Sequence, residues 1–177
     1  MLTDEILAEG NPRRISDALG QPVEARSVYV GGGLFTDEEK TFHLGLAHEL
    51  EGFGFSVFLP QRDGYEAAKL SDWTDGQKTR RIYRRDLLEV CRARFLFANL
   101  DGAIPDDGVC AEVAIAGVHK LLNPDKRIVG YRTDTRTFMG TLPLNPLVAG
   151  ALDLLCNSRE EVLAYFAGEA PTDAPAA

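Results

Sequence analysis

Cysteine is scarce: Cys91, Cys110 and Cys156 are odd in number and far apart, with no C-x-x-C pair. A disulfide framework or a zinc ribbon has no ligands to work with, and reduced thiols in a cytoplasm fit best. Positive charge is also in deficit, with 19 Lys+Arg against 27 Asp+Glu and a net charge of -8. Such a chain repels phosphate backbones and anionic lipid heads, which argues against nucleic-acid polymers and membranes as partners. No apolar run approaches the ~20 residues of a membrane span, and the stretch Met1 to Glu9 carries acids where a signal peptide needs a basic patch. A soluble, cytoplasmic protein is the expectation. Three glycines in a row, Gly31-Gly32-Gly33, lack both the G-x-G-x-x-G order and a following GK[ST], so neither a dinucleotide fingerprint nor a P-loop is supported. No G-x-S-x-G elbow occurs. His43 and His48 are five apart, on different faces of any helix, and no His/Cys/Asp spacing suits a metal. No metal or organic cofactor is expected.

What is present is ordinary globular material, 45% hydrophobic and 26% charged over 177 residues, enough for one domain with some overhang. Residues 1–24 mix Gly, Pro and charge and read as an arm. Residues 25–167 are the domain, and the Ala- and Pro-rich 168–177 reads as a disordered tail. Within the domain, strands are predicted at Ser27–Val30, Phe55–Leu59, Phe95–Leu100, Arg127–Tyr131 and Leu152–Cys156, each a β-branched, aromatic or apolar run closed by turn residues. Between them, Thr36-Asp37-Glu38-Glu39 and Ser158-Arg159-Glu160-Glu161 have the form of capping boxes. Thr74 to about Arg92, Asp107 to Leu122 and Asn145 to Ala151 complete the helices. Alternating strands and helices predict a parallel sheet covered on both faces, with ligands at the carboxyl ends of its strands. Loops 31–36, 60–65, 101–108 and 132–145 lie at that edge.

One residue stands out in the third long helix, where Val109 to Val118 reads V-C-A-E-V-A-I-A-G-V and Glu112 is the only charge. An unpaired carboxylate on such a helix must reach a polar pocket or solvent, or rise in pKa. Asp106 and Asp107 precede it, and as residue types they cap the helix and complement its dipole, Asp107 at the N-cap. Arg80, Arg81, Arg84 and Arg85 read as a solvated face, with Asp86 among their ion-pair partners. Phe35 and Tyr65, in two loops at the same edge, could sandwich a flat ligand, or simply lid the core. Cys110 reads as a small buried hydrophobe.

Taken in order, these segments resemble the nucleoside 2-deoxyribosyltransferase family. Val28 to Asp37 is similar to the family's opening, Asp86 with Asp106, Gly108 and Glu112 looks like its D…D-x-G-x-x-x-E arrangement, and Leu142-Pro143-Leu144-Asn145 resembles its P-L-N-L-M segment. The resemblance implies a flavodoxin-like (Rossmann-like) three-layer α/β fold with a five-stranded parallel sheet. It also implies transfer of 2-deoxyribose between nucleobases through a covalent glycosyl-glutamate. On that likeness Glu112 is the nucleophile, and Asp86 and Asp106 handle the base proton and orient the substrate. Gly32, Phe35 and Gly108 bind substrate, and Asn145 contacts the sugar from a neighbouring subunit of a homo-oligomer. The partners implied are deoxyribonucleosides and free bases. Two alternatives stay open: a nucleoside 5′-monophosphate N-glycosidase with the same carboxylates and water as acceptor, and a non-catalytic nucleotide-binding module. The glycosidase relatives resemble one another in a Ser- and Arg-bearing first loop, which Gly32-Gly33-Leu34-Phe35 does not offer.

Overall fold

A computed structural model describes residues 19–65 and 72–170. Most of the N-terminal arm, and the tail from residue 171, lie outside the described residues. The chain runs β1 (Glu24–Gly31), α1 (Asp37–Gly52), β2 (Ser56–Phe58), α2 (Pro60–Asp63), α3 (Asp75–Arg92), β3 (Ala93–Asn99), α4 (Asp107–Lys120), β4 (Arg127–Tyr131), α5 (Pro146–Ala149), β5 (Leu154–Cys156) and α6 (Arg159–Glu169). All five strands are parallel in the order β2-β1-β3-β4-β5. This is the flavodoxin-like order, and it bears out the expected architecture.

Continuous apolar runs, rather than alternation, mark strands buried on both faces. The last five residues of β1 are buried, and so are five of the seven along β3, Ala93 and the run Phe95, Leu96, Phe97 and Ala98. On one side Val28, Val30, Phe95, Phe97 and Val129 pack under α1 and α6, against Leu46, Leu50, Val162 and Phe166. On the other, Tyr29, Leu96, Ala98 and Ile128 pack under α3 and α4, against Val90, Val109, Val113 and Ala116.

The helix starts follow local chemistry closely. Thr36 and Glu39 form a reciprocal capping box on α1, and Thr74 with Gln77 does the same on α3. At α6 Ser158 accepts from Glu161 N, but Glu161 returns its carboxylate to Asn157 N, one residue before the expected cap. The N-cap of α4 is Asp106, not Asp107: Asp106 Oδ1 accepts from Val109 N at 2.9 Å, and Asp107 is exposed in the first turn. The loop expected over 60–65 opens as the four-residue α2. Helix α6 continues through Gly168 and Glu169, the first residues of the expected tail. At the far end of α3, the fully buried Lys126 donates to the carbonyls of Val90 and Ala93, and burial pushes its pKa down to about 8. Among the described residues, no helix is long and apolar enough to cross a membrane.

Candidate active site

Strand order reverses between β1 and β3, so their carboxyl ends open a crevice. The glycine run leaves β1 at that point, and each glycine makes room for a different side chain. A Cβ on Gly31 would collide with Glu112 Oε2, one on Gly32 with the His43 ring, and one on Gly33 would lie 2.8 Å from Glu39 Oε1. The run thus lets three polar side chains press against the backbone at the sheet's edge.

Glu112 projects from the second turn of α4 to the end of β1. Its Oε1 accepts the Tyr29 hydroxyl at 2.6 Å, while Oε2 is buried and has no partner among the described residues. Burial raises the Glu112 pKa to about 7, helped by the charges of Asp86 and Asp106 and opposed by the Tyr29 hydrogen bond. Tyr29, fully buried and stacked on Phe58 at 5.5 Å, has its own ionisation pushed far up by burial and by Glu112, so the phenol keeps its proton and donates it to Glu112.

Among the described residues Asp86 is not the ion-pair partner that its arginine neighbours suggested. Arg85 pairs with Glu89 at 3.4 Å, and Asp86 is half-buried, its pKa pushed up to about 6 by burial, with Arg85 opposing and Glu89 adding. Two carboxyls poised near neutrality beside a third, Asp106, form the kind of cluster that acid–base chemistry uses.

Next to them lies a cavity of about 400 Å³, lined by Gly33, Phe35, Glu39, Asn99, Asp101 and Asp106 among others. Phe35 is 80% exposed and free to meet a ligand. Asn99 is fixed from two sides: its Oδ1 accepts from Asp101 N at 3.1 Å, so its amide nitrogen faces His43 Nε2 at 3.0 Å. His43 therefore accepts at Nε2 and carries its proton on Nδ1. It is fully buried, and burial drops its pKa to about 4, so it stays neutral.

The fold thus brings together Glu112, Asp86, Asp106, Gly32 and Phe35. Gly108 stands in the first turn of α4, where a Cβ would lie 3.1 Å from Asp106 Oδ1, so its place is beside that carboxylate. Asn145 is exposed at the N-cap of α5, its side chain accepting from Leu147 N at 2.9 Å, and it lines a second cavity of about 430 Å³ with Cys110, Arg132 and Phe138, which shares Ile104 with the first. Tyr65 lies under Arg81, whose guanidinium is 4.3 Å from its ring centroid, and does not line the cavity that Phe35 lines. Among the described residues, no three His, Cys, Asp or Glu side chains converge in a way that could hold a metal ion.

Tyr29, His43, Asn99 and Glu39 were not picked out as site residues by sequence reasoning. The usable signal for Tyr29 was a phenol in a strand too apolar to be half-exposed, whose hydroxyl therefore had to find a buried partner. His43 and Asn99 gave none, because their pairing crosses 56 residues.

Compared with known proteins, the chain matches the family described as nucleoside 2-deoxyribosyltransferase over residues 28–168. No curated protein matches it. Among solved structures it is similar to a conserved protein from Enterococcus faecalis V583, with 20% identity, a TM-score of 0.65, and coverage of 82% of this chain and 98% of that one. It is also similar to a 2-deoxyribosyltransferase from the psychrotolerant bacterium Bacillus psychrosaccharolyticus, with 15% identity, a TM-score of 0.63, and coverage of 78% and 91%. At these identities the likeness to both structures is one of fold.

Proposed function

The chain belongs to the nucleoside 2-deoxyribosyltransferase family, and from that premise we propose that it moves 2-deoxyribose from one nucleobase to another by double displacement on Glu112. The observation that carries this reading is the division of labour within one carboxylate: Oε1 is held by Tyr29, and Oε2 faces the crevice end of β1 with its lone pairs unused.

In the first displacement, Oε2 bonds to the anomeric carbon as the N-glycosidic bond breaks and the base leaves with the bonding pair. A carboxylate suits the task, because it both stabilises the developing oxocarbenium charge and collapses onto it as an ester. The departing base is a poor leaving group as an anion and needs a proton. We assign that proton to Asp86, whose raised pKa keeps part of it protonated near neutrality. In the second displacement, a ring nitrogen of the incoming base bonds to the anomeric carbon, the ester bond breaks, and the proton released returns to Asp86. Two inversions give net retention. Asp106, with one oxygen committed to the cap of α4, is read as orienting a sugar hydroxyl with the other. Asn145, exposed on the adjoining cavity, is read as contacting the sugar bound by a neighbouring copy.

The test is exchange itself. Incubation with 2′-deoxyinosine and free adenine should yield 2′-deoxyadenosine and hypoxanthine on chromatography. Free deoxyribose with no exchange would replace the transferase by a hydrolase, and tight nucleoside binding with no turnover would leave a binding module.

Acidity gives a second check. The productive form needs Glu112 ionised and Asp86 protonated, yet their pKa values stand near 7 and 6, the reverse of the convenient order. Only a minority of molecules carry that combination. The pair titrates as a unit, so kcat/KM should follow a bell with its maximum between about pH 6 and 7 and fall on both sides. A profile that falls on one side only would remove one of the two from the mechanism, and a flat profile from pH 5 to 8 would remove both.

A further inference from the structure

At three points on the crevice rim, polar donors of the kind that would bind a phosphate are held by the chain's own carboxylates. Glu39 Oε2 accepts from Phe35 N and Thr36 N, each at 2.9 Å, at the exit of the glycine loop. Asp101 accepts from Thr133 N, Thr133 Oγ1 and Asp134 N at 2.9, 2.6 and 2.7 Å at the end of β4. Asp106 Oδ1 holds Val109 N at the start of α4. All three acids line the same 400 Å³ cavity together with Glu38, and among the described residues no lysine or arginine lines it. Glycine loops and helix N-termini are where proteins ordinarily seat phosphate, through free amides and the helix dipole. Here those positions carry negative charge instead.

Resting on the reading above, we propose that Glu39 is a specificity-determining residue: its carboxylate occupies the anion seat of the glycine loop and reserves the site for nucleosides with a free 5′-hydroxyl, against their 5′-phosphates. Of the three acids, Glu39 is the one pressed against the glycine loop itself, closing two amides and lying over Gly33. The hydrogen bonds from the amides of Thr36 and Phe35 hold it ionised below the usual carboxylate range. A phosphate arriving at these amides has either to displace the carboxylate or to sit beside its charge in a cavity that Asp101 and Asp106 already make negative, and like charges at such range disfavour binding strongly. A purely structural Glu39 would serve the α1 cap alone, and its replacement would then affect both kinds of substrate equally.

The experiment compares wild-type and Glu39→Gln full-length protein on 2′-deoxyinosine and 2′-deoxyinosine 5′-monophosphate, with adenine as acceptor, by chromatography, and measures binding of both compounds by calorimetry. Glutamine keeps an oxygen for the two amides and removes the charge, and a thermal melt checks that the variant folds. Wild type should favour the nucleoside by about 100-fold or more in kcat/KM, and the variant should lower that ratio by at least about tenfold. A wild-type ratio near one, or a variant that slows both substrates alike, overturns the proposal. If neither compound is turned over but the nucleoside binds with a preference that Glu39→Gln erodes, the proposal stands and the transferase reading falls. Exchange with an unmoved ratio means the opposite, and no binding of either compound overturns both.

Discussion

Glu112→Gln is expected to abolish base exchange and, at pH 8, to make the protein more stable than wild type. Loss of exchange follows from the proposed chemistry, since an amide oxygen neither forms nor releases the glycosyl ester, and a drop of about 10³-fold or more is expected. The gain in stability follows from burial. The folded-state pKa of Glu112 is raised from 4.5 to about 7, so the native state holds this proton more tightly than the unfolded chain does. Ionising it therefore penalises folding. The penalty is absent below about pH 4.5, grows between the two values and is complete above about pH 7. Glutamine never ionises and still accepts from Tyr29. After allowing for solvent screening and for an amide N–H left where Oε2 had no partner, about 1–2 kcal/mol should be recovered at pH 8 and almost none at pH 4. Thermal melts at the two pH values check this. An equal gain at both would show that packing rather than charge is responsible, and a variant keeping a tenth of the exchange activity would mean that the nucleophile lies elsewhere.

The same residue illustrates how much was legible in the sequence. Glu112 announced itself because a lone carboxylate in an apolar helix has to be placed somewhere costly or useful, an argument that needs only residues 109–118. The strands were equally plain, since runs such as Phe95 to Leu100 have one physical use in a chain of this size. Asp86 was misjudged from local sequence: four arginines nearby suggest an ion pair, but a helix turns by 100° per residue, and Arg85 points to Glu89 and Phe58 while Asp86 enters the interior. Only the likeness to a family's order of motifs marked it. Tyr29 and Asn99 act through partners 83 and 56 residues away, and no local pattern encodes such a meeting.

Gly31→Ala should cost about 100-fold or more in kcat/KM while leaving the fold intact. The added methyl would collide with Glu112 Oε2, the unbonded oxygen at the end of a flexible side chain, and not with a strand or a ring. Yielding is therefore cheap for the fold, because the carboxylate swings aside, and expensive for the reaction, where a displacement of about 1 Å at the attacking atom is enough for a loss of this size. Gly32→Ala makes the instructive contrast, because its methyl would meet the buried His43 ring, which has nowhere to go. Activity and melting temperature measured side by side should separate the two variants. An active Gly31→Ala would mean that Glu112 does not work from the position it holds against β1.

Strand order also sets a timetable for synthesis. β1 ends at Gly31 and pairs with β2, a strand of three residues, while its more extensive partner β3 begins only at Ala93. During translation this strand, whose last five residues are buried in the finished fold, leaves the ribosome with one edge open, and contacts this distant in sequence close slowly. Tyr29 waits longer still, because its hydroxyl has no acceptor until Glu112 has been made and α4 has docked. The event that satisfies this buried phenol is the same one that sets the carboxylate proposed as nucleophile, so a nascent chain short of α4 carries both an unfinished core and an incomplete carboxylate cluster.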